Sequence, residues 1–145
     1  MIPLNGITAG LLAGILMSTV SDIAYRIGIF KSSLTLIDGY FSLKVIRAKI
    51  GIKRMYIFGI PLHLFTSAVF GSIYVFIINL LKWNATSVLM ITLYIILLWL
   101  SMLFIALPVA GFRFLGRKLG ASTWLEQLIL HIVFGTGLFV ALRLM

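Results

Sequence analysis

Two histidines carry most of the chemistry this chain can offer. His63 lies in "GIPLHLFTSAVFGSIY" and His131 in "WLEQLILHIVFGTG". Each follows a leucine in a long apolar run and has a small residue four positions on, Ser67 and Gly135 respectively. Paired imidazoles on facing helices of a bundle are the axial ligand set of a b-type haem. Depth tests that idea. His63 is nine residues after Arg54 and His131 thirteen after Lys118, which at the helical rise places them within about 6 Å of one level. From the other side, His63 lies nineteen residues before Lys82 and His131 twelve before Arg143, a mismatch of about 10 Å. If Pro61 marks the first turn of its helix, His63 sits near the membrane surface and His131 deeper. The simpler reading makes each imidazole a hydrogen-bonding group between helices, with Gln127 holding one nitrogen of His131 from a turn below. Haem on His63 and His131 stands as the alternative.

The other ionisable groups are sparse. Asp22 and Arg26 are four residues apart and suited to pairing on one helix face. Glu126 falls near a helix start, where a carboxylate complements the dipole, and Arg113 and Arg117 are near enough in the chain to reach it. Asp22, Arg26, Arg113, Glu126 and Gln127 are thus read as a polar network toward one side. No third ligand stands at metal-like spacing, so no metal site is expected. Nor is there a nucleophile–base pair, a phosphate loop or a dinucleotide fingerprint, so neither catalytic residues nor enzymatic chemistry are expected.

These groups must be positioned by an unusually apolar chain. Of 145 residues, 62% are hydrophobic and 10% charged, against about 25% charged in soluble domains. Such a chain requires the bilayer as solvent, and residues 1–145 read as one membrane domain. Four segments, about 5–24, 56–81, 87–110 and 123–142, meet the length of roughly 20 apolar residues that a spanning helix needs. Their continuous hydrophobicity lacks the alternation of barrel strands. The fold expected is an all-α, four-transmembrane-helix bundle. "LHLFTSAVFG" and "LHIVFGTG" further hint at a duplicated two-helix hairpin. The first helix lacks the basic start and small-residue cleavage site of a signal peptide. Zero cysteines exclude disulfides and thiolate sites.

Ten of the twelve Lys and Arg residues fall in two connections, 25–55 and the one preceding 123, while Lys82 and Arg143 flank the other side. The positive-inside rule makes both basic connections cytoplasmic and both termini external. The net charge of +9 reflects that rule rather than nucleic-acid binding, for which no motif is present. The stretch "SLTLIDGYFSLKVIRAKI" reads as an ordinary basic loop. Alternatively it is a short interfacial helix, offering Lys44, Arg47, Lys49, Lys53 and Arg54 to anionic lipid. "NAT" at Asn84 matches a glycosylation sequon by chance beside a span.

Small residues four apart, Gly6, Gly10 and Gly14, make a groove for close helix approach. His63, Ser67, Gly71 and Tyr74 share one face of the second helix, and Gln127, His131 and Gly135 one face of the fourth. Such faces serve packing within the bundle or docking of another subunit. With "LPVAGFRFLGRK" included, the sequence "GITAGLLAGILMS…GIPLHLFTSAVFGSIY…WLEQLILHIVFGTG" resembles a group of small prokaryotic membrane proteins of unknown function. The resemblance implies a four-helix fold in a prokaryotic cytoplasmic membrane and assigns no site. The expectation is a non-catalytic accessory subunit of a larger membrane complex, docking through its glycine-rich faces onto other membrane subunits. A haem-binding electron carrier and a small transporter or channel are the rivals. A transmembrane proton path lacks acids in the external half.

Overall fold

The computed structural model describes residues 2–145, with side chains from Asn5 onward. The described residues are helical with no strand. In chain order they form α1 (Ile2–Arg26), α2 (Leu34–Val45), α3 (Ile52–Leu80), α4 (Val88–Ser101), α5 (Leu107–Ala110) and α6 (Thr123–Leu144). A π-helical turn, Met102–Ala106, joins α4 to α5 without a break. Four stretches are long and apolar enough to cross a membrane: Asn5–Arg26, Ile52–Leu80, Val88–Ala110 and Thr123–Leu144. They match the expected segments to within a few residues. The outside of the bundle carries large apolar side chains such as Phe65, Leu80 and Leu97, more than the surface of a soluble monomer usually exposes.

α3 begins earlier than the sequence indicated. Pro61 does not open the helix but lies inside it, nine residues after Ile52. Proline removes one intrahelical hydrogen bond, yet neighbouring contacts hold the helix on either side of it. Gly59 packs onto the Thr35 carbonyl of α2, and His63 is hydrogen-bonded to two other helices. His63 therefore lies roughly 16 Å along α3 and His131 roughly 12 Å along α6, which removes the depth conflict.

The basic stretch after α1 is neither an ordinary loop nor a surface helix. α2 buries Leu34, Thr35, Ile37, Gly39 and Leu43. A Cβ on Gly39 would strike the Met55 backbone, and one on Gly59 would strike Thr35. Only glycine at both positions lets α2 lie this close to the first half of α3. Ser21 Oγ caps α2 from α1, accepting Leu34 N–H at 2.8 Å.

α1 crosses α3 through Gly6, Gly10, Gly14, Ser67 and Gly71, where any added Cβ meets backbone or Ser67. On its other side α1 meets α6 at Ala13 and Gly137. The main core joins Ala9, Ala13, Tyr74, Tyr94, Leu130, Phe134 and Leu138. A smaller cluster of Ile37, Leu103, Leu107, Ala110 and Phe112 fills the basic end.

α4 packs against α6 and is tied to α3 near their short connection. There the Tyr74 and Tyr94 rings lie 5.1 Å apart. Tyr74 Oη donates to Ala85 O at 2.9 Å, and Tyr94 Oη to Phe70 O at 2.7 Å. From this knot toward the basic end, a cavity separates the two helices.

Candidate functional site

The cavity has a volume of about 370 Å³ and takes residues from every long helix and from α2. Its walls are apolar, built from side chains such as Met17, Ile37, Leu62, Leu98 and Phe134. The polar side chains on it are Asp38, His63, Thr66, Ser67, Ser101 and His131. Phe70, Ile105 and Val109 line it as well, yet are 39%, 62% and 63% exposed on the outside of the bundle. The cavity thus opens sideways between α3 and the α4–α5 rod, onto the apolar outer surface.

Both histidines reach this one cavity, but their bonding differs. His63 Nδ1 lies 3.1 Å from Asp38 Oδ2, and its Nε2 3.2 Å from Gly14 O. A carbonyl only accepts, so Nε2 carries a proton. One further proton lies between Nδ1 and Asp38, since two lone pairs facing each other at that distance would repel. The Asp38–His63 pair is neutral overall whether that proton sits on nitrogen or oxygen. His131 Nδ1 donates to Gln127 O at 2.7 Å. No carboxylate contacts this ring, and an unpaired charge in apolar surroundings is costly. The site therefore supports the neutral tautomer, with a lone pair on Nε2. Among the described residues that Nε2 makes no hydrogen bond.

This arrangement does not fit the haem alternative. Bis-imidazole ligation needs one unprotonated nitrogen on each ring, and both nitrogens of His63 face oxygen acceptors.

The sequence singled out both histidines and missed Asp38. A signal was present. Leu34, Ile37, Asp38 and Phe41 follow helical spacing, and all four line the cavity. The acid sits on the apolar face of α2, away from the lysines.

The expected polar network divides in two. Asp22 accepts from Arg26 Nε at 2.7 Å, Tyr56 Oη at 2.5 Å and Ser33 Oγ at 3.2 Å, joining α1, α2 and α3. Glu126 is buried and accepts from Ser122 Oγ at 2.6 Å and Lys31 N at 3.1 Å. Arg113 joins neither group: it is exposed, at a positive φ of 65° that turns the chain after α5, so Glu126 is satisfied by backbone and serine instead. Gln127 holds His131 through its backbone carbonyl rather than its side chain. Its own Oε1 is buried with no hydrogen-bond partner among the described residues.

Of the cations suggested for lipid, Lys44 donates to Ala110 O at 3.3 Å and so caps the end of α5. Arg47, Lys49, Lys53 and Arg54 are exposed. Gly6, Gly10, Gly14, Ser67 and Gly71 are consumed between α1 and α3, and Gly135 packs on Ile91 and Ile95 of α4. These faces are filled by the chain's own helices and are not free for docking. Asn84 Oδ1 accepts from Thr86 N and Oγ1, closing a turn.

Fold and site together define a class: a helical bundle with four candidate spans around a laterally open, mostly apolar cavity holding an acid–imidazole pair. No family model matches the chain, and no curated protein or solved structure matches it significantly.

Proposed function

We propose that this is a multi-pass membrane protein that binds a lipophilic molecule entering its cavity from the bilayer. The observation that carries this reading is the lateral opening, bordered by the outward-exposed Phe70, Ile105 and Val109, onto a cavity whose polar groups include the buried His63 and His131. An apolar site with a few placed polar groups is the general form of a small-molecule pocket. Ionisable groups held away from lipid inside a bundle mark function more often than packing. The orientation follows from the basic residues: the connections after α1 and α5 face the cytoplasm and both termini lie outside. The resemblance in sequence supports a prokaryotic cytoplasmic membrane as the location. The accessory-subunit reading rested on docking through glycine-rich faces, and those faces are occupied within the chain.

The test is retention of lipophilic molecules by purified protein after detergent exchange, read by mass spectrometry of the extract. Wild-type protein is expected to retain a defined molecule that Ser101→Phe, which fills the cavity, releases while the protein stays folded. Equal lipid content in both proteins overturns the proposal. A ligand-free protein that purifies only with a larger complex returns the accessory-subunit reading.

A further inference from the structure

Resting on the cavity reading, we infer that the ligand is an uncharged hydrogen-bond donor, a lipophilic alcohol or phenol, whose hydroxyl donates its one proton to His131 Nε2.

The reasoning is a count of what the polar groups still have to give. His131 has spent its one N–H on Gln127 O, which leaves a lone pair on Nε2. His63 has no free donor, since Nε2 serves Gly14 O and Nδ1 serves Asp38. Asp38 Oδ2 is taken by His63, and Oδ1 makes no hydrogen bond among the described residues. Oδ1 accepts in both proton arrangements, as carboxylate or as the carbonyl of an acid. Thr66 has spent its hydroxyl proton on the Leu62 and His63 carbonyls. Ser67 and Ser101 rotate to suit either role and do not discriminate. The fixed vacancies are therefore acceptors, on the His131 ring, whose residue is 8% exposed, and on Asp38 of α2.

This pattern selects among membrane amphiphiles. A carboxylate or phosphate brings more acceptors against His131 Nε2 and Asp38. An ammonium finds a carboxyl already neutralised by His63, in a chain of net charge +9. Lys44 does not alter the balance, because it caps α5 and does not line the cavity. A hydroxyl on an apolar body gives its one proton to His131 Nε2 and brings no charge; a ligand with a second hydroxyl can also serve Asp38. Isoprenoid alcohols, quinols and diacylglycerols share that chemistry.

The experiment uses the full chain in nanodiscs and equilibrium binding of matched probes: farnesol, decylubiquinol and dioctanoylglycerol as donors, with farnesyl methyl ether, palmitic acid and dodecylamine as comparisons. Farnesol is expected to bind about tenfold more tightly than its methyl ether, the worth of one hydrogen bond. His131→Phe should abolish that difference. The tightest of the three donors identifies the source. Palmitic acid or dodecylamine binding more tightly than every donor overturns the inference and leaves the cavity reading standing. Failure of all six probes overturns both. If His131→Phe does not fold, the alcohol–ether comparison on the wild-type protein decides alone.

Discussion

At the residue scale, the two histidines divide their labour through their hydrogen bonds. His63 links three helices, since it is part of α3 and bonds to Asp38 of α2 and Gly14 of α1. His131 bonds within its own helix. The consequences of removing them should differ. A double-mutant cycle with Asp38→Leu and His63→Phe is expected to show a coupling of about 1 kcal/mol, within the range of such bonds inside membrane bundles. It is measurable as unfolding free energy in detergent; additive effects would mean that the pair does not hold α2. His131→Phe should cost less than about 1 kcal/mol, because Gln127 O keeps its helical partner and the new ring is apolar. A large loss of stability there would show that His131 is a structural tie rather than an available acceptor. The histidines were legible in the sequence because two polar rings in apolar runs stand out. Asp38 was not, because its position on an apolar face has meaning only once 34–45 is known to be helical, and the nearby Lys44, Arg47 and Lys49 give the stretch the composition of a loop.

At the element scale, glycine placement sets which helices touch. The α1–α3 crossing brings backbones together at Gly10 and Gly71, where van der Waals packing rather than hydrophobic transfer supplies the association. Gly10→Val is expected to destabilise by roughly 1–3 kcal/mol through overpacking. Gly51→Ala, where nothing lies within 4 Å of an added Cβ, should cost less, at most the roughly 0.5–1 kcal/mol of a poorer helix N-cap. Equal midpoints for the two variants would refute this account of the crossing. The π-helical turn has a different role. Leu107 N bonds to Met102 O, five residues back, so the widened turn takes up one extra residue and the helix after it keeps its face. Deleting Phe104, an exposed residue within that turn, should close the turn to continuous α-helix with Val109 and Ala110 still on the cavity wall. Retained ligand and helix content by circular dichroism should both hold. Loss of the ligand would mean that the width of the π turn itself shapes the cavity. Hydropathy gave the four long helices because length and apolarity decide them. It was blind to the π turn, which depends on tertiary packing, and to the start of α3, where Lys53 and Arg54 look like loop residues and Pro61 resembles a helix opening.

At the scale of the whole molecule, charge and shape make a joint argument about orientation. Ten of twelve basic residues lie at one end of the bundle, from Arg26 at the end of α1 to Arg54 in the first turn of α3 and in the connection after the α4–α5 rod, and Asp22 and Glu126 bind together the polypeptide at that same end. The cavity lies between that end and the Tyr74–Tyr94 knot. A cytoplasmic position for the basic end would therefore place the ligand site in the cytoplasmic half of the bilayer, open to that leaflet. Because the chain has no cysteine, single substitutions report position without background labelling. Cysteines introduced at Lys49 and Arg117, both exposed at the basic end, should resist a membrane-impermeant maleimide in intact cells and react once the membrane is opened. A cysteine at Trp83, 53% exposed at the opposite end, should react from outside without lysis. The reverse pattern would invert the topology and move the cavity to the external leaflet. Reaction of all three positions in intact cells would mean that the four helices do not cross the membrane in the order their charges imply.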